Sequence, residues 1–168
     1  MSEPCMPRVE KTLVGPGGAS MPYVRAMCAI GQHGQLGLRG RLPWEGERGP
    51  EYRADVERFW ELTCGHVIVM GPRTKACVPD FAYPGRTFVE IRSNMTPAEV
   101  LARFTGRVVF VGGGPPIWSA YAPFIRHWDI TRLPYDGEAD RWFDPAWIIC
   151  GSSVYPEKIV LDYKAFEA

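Results

Sequence analysis

Val108-Val109-Phe110-Val111-Gly112-Gly113-Gly114 is a run of four apolar residues closed by three glycines, and Pro115-Pro116 follows directly. Four apolar residues in a row suit a strand buried on both faces. The prolines suit the first turn of a helix, which should start near Pro116 and end before Pro123. A strand, glycines and a helix in that order bring backbone N–H groups close to a phosphate, because glycine removes the side-chain barrier. A tight turn with no ligand explains three glycines equally well. The dinucleotide fingerprint is a different pattern, GxGxxG early in a βαβ unit.

Similar apolar runs lie on either side. Val24 to Ile30, Val67 to Met70, Thr87 to Ile91 and Trp128 to Thr131 all read as short strands. Between them, Val56, Phe59 and Leu62 repeat at helical spacing within Asp55–Leu62. Thr96-Pro97-Ala98-Glu99 is a capping box that predicts a helix to about Phe104. Alternating strands and helices predict an α/β fold with a mostly parallel central sheet and flanking helices. Ile148 to Val154 and Lys158 to Phe166, joined around Pro156, read as two strands closing the sheet with an antiparallel C-terminal edge. Residues 1–20, with Pro4, Pro7, Pro16 and Gly17-Gly18, read as an irregular leader, and 21–168 as one domain.

Composition narrows the function classes. The 168 residues carry 19 basic and 19 acidic side chains, so the clustered basic excess of a nucleic-acid binder is missing. No apolar run is long enough to span a bilayer, and the N-terminus lacks a secretory h-region. The five cysteines are odd in number, widely spaced and free of CxxC pairs, and the three histidines are scattered. Neither a disulfide framework nor a metal site is expected, and reduced thiols in a cytoplasm are the plain reading.

Several further stretches carry candidate chemistry. Gly37-Leu38-Arg39-Gly40-Arg41-Leu42-Pro43-Trp44 follows the first strand as a long glycine-rich loop, in which Trp44 serves either as a packing anchor or as a ligand contact. Asp55 shares a helix face with Phe59; it is either an acid turned inward to bind something or an N-terminal residue stabilised by the helix dipole. Met70-Gly71-Pro72-Arg73-Thr74 closes an apolar run, at the end where parallel strands present ligand-binding loops. Pro84-Gly85-Arg86 precedes a strand that ends near Arg92-Ser93.

The order of these motifs is more telling than any one of them. Leu36-Gly37, Leu42-Pro43-Trp44, Asp55-x-x-x-Phe59, Val67-Ile68-Val69-Met70-Gly71 with Thr74, Pro84-Gly85-Arg86, Val111-Gly112-Gly113-Gly114 and Ile130-Thr131 follow one another as in dihydrofolate reductases, and Glu138-Ala139-Asp140 with Phe143 continues the series. From residue 23 to about residue 143 the chain resembles that family. The resemblance implies reduction of dihydrofolate to tetrahydrofolate by hydride transfer from NADPH, in a cytoplasmic monomer open to antifolate inhibitors, with trimethoprim resistance among the traits of such proteins. It makes Asp55 the acid that accepts the two-donor edge of a pterin and helps bring a proton to the ring, Thr131 its hydrogen-bonding partner, and Trp44 part of the catalytic loop. It places Met27, Ala29, Phe59, Val78 and Val111 around the substrate and gives Arg86 the carboxylate of the substrate's tail. For the cofactor it implies Ala29, Leu36, Gly37, Leu42, Gly71, Arg73, Thr74, Arg92, Ser93, Gly112, Gly113, Gly114 and Trp118.

The pattern is broken in places. Pro72 stands where the family usually has a basic residue, and Pro115 stands where it usually has a cationic or polar one, so two phosphate-facing positions lose donors. The segment between Trp44 and Asp55 is longer than in compact bacterial members and predicts a reshaped entrance. Two alternatives share the fold: a pyrimidine reductase of riboflavin synthesis, and a non-catalytic pterin- or nucleotide-binding protein.

Overall fold

The structure, a computed structural model, describes residues 21–47, 49–149 and 158–164. The expected leader and most of the expected Ile148–Val154 strand lie outside them. Six strands form the central sheet: β1 (Tyr23–Ile30), β3 (Val67–Met70), β4 (Thr87–Glu90), β5 (Val108–Val111), β6 (His127–Arg132) and β8 (Ile159–Lys164). Their order is β4-β3-β5-β1-β6-β8, and every pairing is parallel. The short strands β2 (Gln35–Gly37) and β7 (Arg141–Trp142) pair antiparallel beside it.

Alternation along the strands separates two cores. Val24, Ala26, Cys28 and Ile30 of β1 share one layer with Val100 and Leu101 of α3 (Pro97–Ala102) and with Trp118 and Tyr121 of α4 (Pro115–Tyr121). Met27, Ile68, Met70, Val108 and Phe110 face the other way, with Phe59, Trp60 and Leu62 of α1 (Pro50–Thr63) against them. Phe110 is fully buried there, and its truncation to alanine would cost about 3–5 kcal/mol.

The helices α1, α3, α4 and the short α2 (Pro72–Ala76) each begin with proline, which donates no N–H and has its φ preset for a first turn. The capping box is present: Thr96 Oγ1 accepts from the Glu99 backbone N–H at 3.3 Å. Proline also explains two departures from expectation. The helix bearing Asp55 starts at Pro50, so much of the long Trp44–Asp55 segment is helical, and Pro72 opens a helical turn.

The C-terminal edge corrects the expected hairpin. Ala146–Ile149 forms a short helix, α5, and β8 runs parallel to β6, with His127 beside Ile159 and Arg132 beside Lys164. β8 therefore enters at the same end of the sheet as β6 and runs in the same direction. Cys64, just after α1, is disulfide-bonded, against the expectation of reduced thiols.

Candidate active site

Strand order places the site. β1 leads through β2 to α1 on one face of the sheet, whereas β5 leads to α4 on the other, and β1 and β5 are neighbours. A crevice opens at the C-terminal ends of strands whose connections diverge in this way. Ala29, Gly71, the glycine turn and Thr131 all lie at that end.

Asp55 sits in the second turn of α1 and hydrogen-bonds Thr131, which lies beside Ala29 in the sheet register. Arg58, one turn further along α1, donates from Nη1 to Thr131 Oγ1 at 3.1 Å. A guanidinium can only donate, so the Thr131 hydroxyl accepts from Arg58 and turns its own proton to Asp55. Burial pushes the Asp55 carboxyl above its ordinary value, while the Thr131 hydrogen bond and the Arg58 charge pull against that rise without cancelling it. Asp55 is therefore an inward acid, and the reading as a dipole-stabilised surface residue drops out. Met27, Phe59 and Val78 lie in the same layer.

Val111 does not join them. It is fully buried with the α3–α4 layer, because its neighbour Phe110 takes the α1 face and strand alternation sends Val111 to the other. Leu36 is likewise a core residue of that layer. Trp44 is buried, with ring centroids 5.9 Å from Tyr135 and 6.5 Å from Tyr52, so it anchors its loop against α1 and the segment after β6; Leu42 beside it is exposed. Gly37 lies in the small sheet, where a Cβ would stand 3.1 Å from Arg141.

Arg86 is held from three sides. Nε donates to Thr63 Oγ1 at 3.2 Å, Nη1 to the Ala82 carbonyl at 3.2 Å and Nη2 to the Trp60 carbonyl at 2.6 Å. The guanidinium also lies 5.2 Å from the centre of the Trp60 ring. A guanidinium has five N–H bonds, so one remains on each terminal nitrogen, a pair suited to a carboxylate.

At the glycine turn, a Cβ on Gly113 would come within 3.0 Å of the Trp118 ring, and one on Gly112 within 3.1 Å of Met70 Cε. Gly113 has φ +106°, the Gly113–Gly114 peptide is cis, and the Gly113 carbonyl accepts from the Gly71 N–H at 2.9 Å. Open space lies over Gly114. This narrow cradle of backbone fits the phosphates of a dinucleotide. Trp118 is buried and donates to the Val111 carbonyl at 3.1 Å, so it shapes the cradle from behind. Thr74 is half-buried nearby on α2, and Arg73 is exposed. Across the cleft, Leu38 and Arg41 bridge a turn whose central residues Arg39 and Gly40 have φ +52° and +78°; a Cβ on Gly40 would lie 3.4 Å from Arg73 Nη1. Arg92 and Ser93 are exposed after β4, with Arg92 paired to Glu90 at 2.5 Å.

Two features of the site were not among the residues expected from the sequence. Arg58 was discoverable as the residue three places after Asp55, on the same helix face. The other is a buried ion pair further down the face that carries Thr131: Asp129 takes Arg25 Nε at 3.0 Å and Nη2 at 2.9 Å, with His127 Nε2 at 3.3 Å and Tyr23 Oη on His127 Nδ1 at 3.1 Å. Burial alone would raise the Asp129 carboxyl; hydrogen bonding from His127 and the Arg25 guanidinium outweigh it and bring the group below its ordinary value.

Residues 23–158 match the family model for dihydrofolate reductase. The chain belongs to the dihydrofolate reductase family. Within it, a dihydromethanopterin reductase of Methylorubrum extorquens is 60% identical over 128 residues, covering 76% of this chain and 95% of that protein. A dihydrofolate reductase of Mycobacterium tuberculosis is 30% identical, over 67% of this chain and 73% of its own. A dihydrofolate reductase from Enterococcus faecalis, solved with NADP(H) and RAB-propyl, superposes with a TM-score of 0.59 at 25% identity, covering 74% of this chain and 79% of that one. The chain is thus an oxidoreductase of this family, with the parallel sheet and flanking helices of its fold. Among the described residues, no helix is long and apolar enough to cross a membrane.

Proposed function

We propose that this protein reduces a dihydropterin with NADPH, and that its substrate is dihydromethanopterin. The observation that carries the pterin reading is Asp55, an inward acid with a raised pKa, hydrogen-bonded to Thr131 at the open end of the sheet. An ionised carboxylate there accepts the ring N–H and exocyclic amine of a pterin together. Its raised pKa favours proton exchange with the ring through water. The choice of dihydromethanopterin is supported by the 60% identity to the reductase named for it, across nearly all of that protein.

Gly71, Thr74 and Gly112–Gly114 would hold the dinucleotide phosphates, and Arg73, Arg92 and Ser93 the adenosine 2′-phosphate that distinguishes NADPH from NADH. The bound reduced nicotinamide supplies the hydride. Met27, Ala29 and Phe59 would orient the ring, and the loop anchored by Trp44 would exclude water from it.

Dihydrofolate is the second reading, and Arg86 favours it through the N–H left on each terminal nitrogen for a tail carboxylate. The test is NADPH oxidation by purified protein with dihydromethanopterin and with dihydrofolate, beside Asp55→Asn and Arg86→Met. The proposal expects faster turnover of dihydromethanopterin that Asp55→Asn removes. Preference for dihydrofolate, with KM raised about tenfold by Arg86→Met, would establish the second reading. Binding of a pterin without turnover would leave a non-catalytic binder.

A further inference from the structure

Arg58 stands immediately behind the carboxylate that receives the ring. Asp55 and Arg58 are three residues apart on α1 and face the same side, and the Arg58–Thr131 bond at 3.1 Å fixes the guanidinium against β6. Thr131, itself buried, connects the two. Among the described residues, few other charged or ionisable groups lie around Asp55. On α1 they are Tyr52 and Glu51, in the turn before it; on β6, Asp129 lies two residues before Thr131 and is engaged by Arg25 and His127. β1 brings Tyr23, Arg25, Met27 and Ala29 to this side, and the Arg25 guanidinium is held on Asp129. Among the described residues, the positive charge acting on Asp55 is that of Arg58.

We propose that Arg58 is a specificity-determining residue of this site, a fixed cation that makes the Asp55–Thr131 pair select an uncharged pterin over a protonated ring. The inference rests on the pterin reading above. A neutral pterin offers the carboxylate two hydrogen bonds and adds no charge. A 2,4-diaminopyrimidine binds a carboxylate best as its ring-protonated cation, which brings a second positive charge close to Arg58. Two like charges a few ångströms apart in a half-buried site repel strongly enough to cost tenfold or more in affinity. Arg58 also occupies one acceptor site of Thr131, which leaves the hydroxyl proton directed at Asp55.

The experiment measures dissociation constants of wild type, Arg58→Met and Arg58→Lys for two probes, folate as the neutral ring and a 2,4-diaminopyrimidine as the cationic one, by fluorescence titration at several pH values. Arg58→Met should tighten the diaminopyrimidine by about tenfold or more and change folate by less than about threefold. It should also move the carboxyl titration of Asp55, followed by carbon NMR of the ligand-free protein, to higher pH, since an opposing charge has been removed. Arg58→Lys keeps a cation and should keep the wild-type ratio. An unchanged ratio in Arg58→Met, or the same change in both variants, overturns the proposal while leaving the pterin reading intact. Wild-type protein that binds neither ring, and no dihydromethanopterin in the same titration, overturns both.

Discussion

Two aspartates line the same side of the sheet and meet opposite fates. Asp129, on the inner part of β6, is completely buried, with an arginine and a histidine on it, and its pKa is lowered. Asp55 faces Thr131, two residues nearer the open end, with a neutral hydroxyl as its direct partner and an arginine behind that; its pKa is raised. The side chain is the same and burial presses on both. What differs is whether the protein supplies enough donors to satisfy the ionised form. At Asp129 it does, and the residue stabilises the fold. At Asp55 it stops short, and on the proposed reading the ligand supplies the missing partner.

The largest test of that contrast is Asp55→Asn. Turnover should fall by about 10²–10⁴-fold, while folding stability near neutral pH should rise, because an incompletely satisfied buried charge has been removed. A loss of both would mean that Asp55 is structural after all. Next comes Asp129→Asn, which leaves Arg25 buried without its counterion and should cost about 3–5 kcal/mol in urea unfolding. The double variant Arg25→Met with Asp129→Leu should recover most of that loss, since a packed apolar pair removes both charges together.

Opposite pKa directions also predict opposite slopes. Asp129, lowered in the folded state, contributes stability above the ordinary carboxyl range that disappears as pH falls through its folded value. Asp55, raised in the folded state, takes stability away as pH climbs from the ordinary carboxyl range through its folded value. Denaturation of wild type and Asp55→Asn across pH should therefore differ by one descending slope, present only in wild type. The smallest effect belongs to Tyr23→Phe, which removes the hydroxyl orienting His127 and should cost about 0.5–1.5 kcal/mol.

How much of this contrast could be read from sequence follows from what sequence patterns encode. Asp55 with Phe59, Thr131 and the glycine turn were readable because each sits in a local motif and the motifs come in a recognisable order. Asp129 was not, because nothing local distinguishes an acid awaiting Arg25, some hundred residues away, from one in solvent. The same limit hid the direction of β8, since an apolar strand looks alike in either direction. Val111 was assigned to the site by position in a motif, and strand alternation turned it away. Trp44 had two readings, and only Tyr52 and Tyr135 show that it is an anchor. Arg58 was one helical turn from a residue already singled out, yet an arginine on a helix is more often solvated than functional.

The place of β1 has a consequence for how the protein is made. It emerges from the ribosome before the other strands, yet it lies in the middle of the sheet, between β5 and β6. Its first partner, Val108, follows Ile30 by roughly eighty residues, a gap that takes on the order of ten seconds to synthesise at typical elongation rates. During that interval the nascent chain carries a mostly apolar strand with neither edge covered, while β3 and β4 are already able to pair with each other. The central strand of the finished sheet is the one that waits longest for its neighbours.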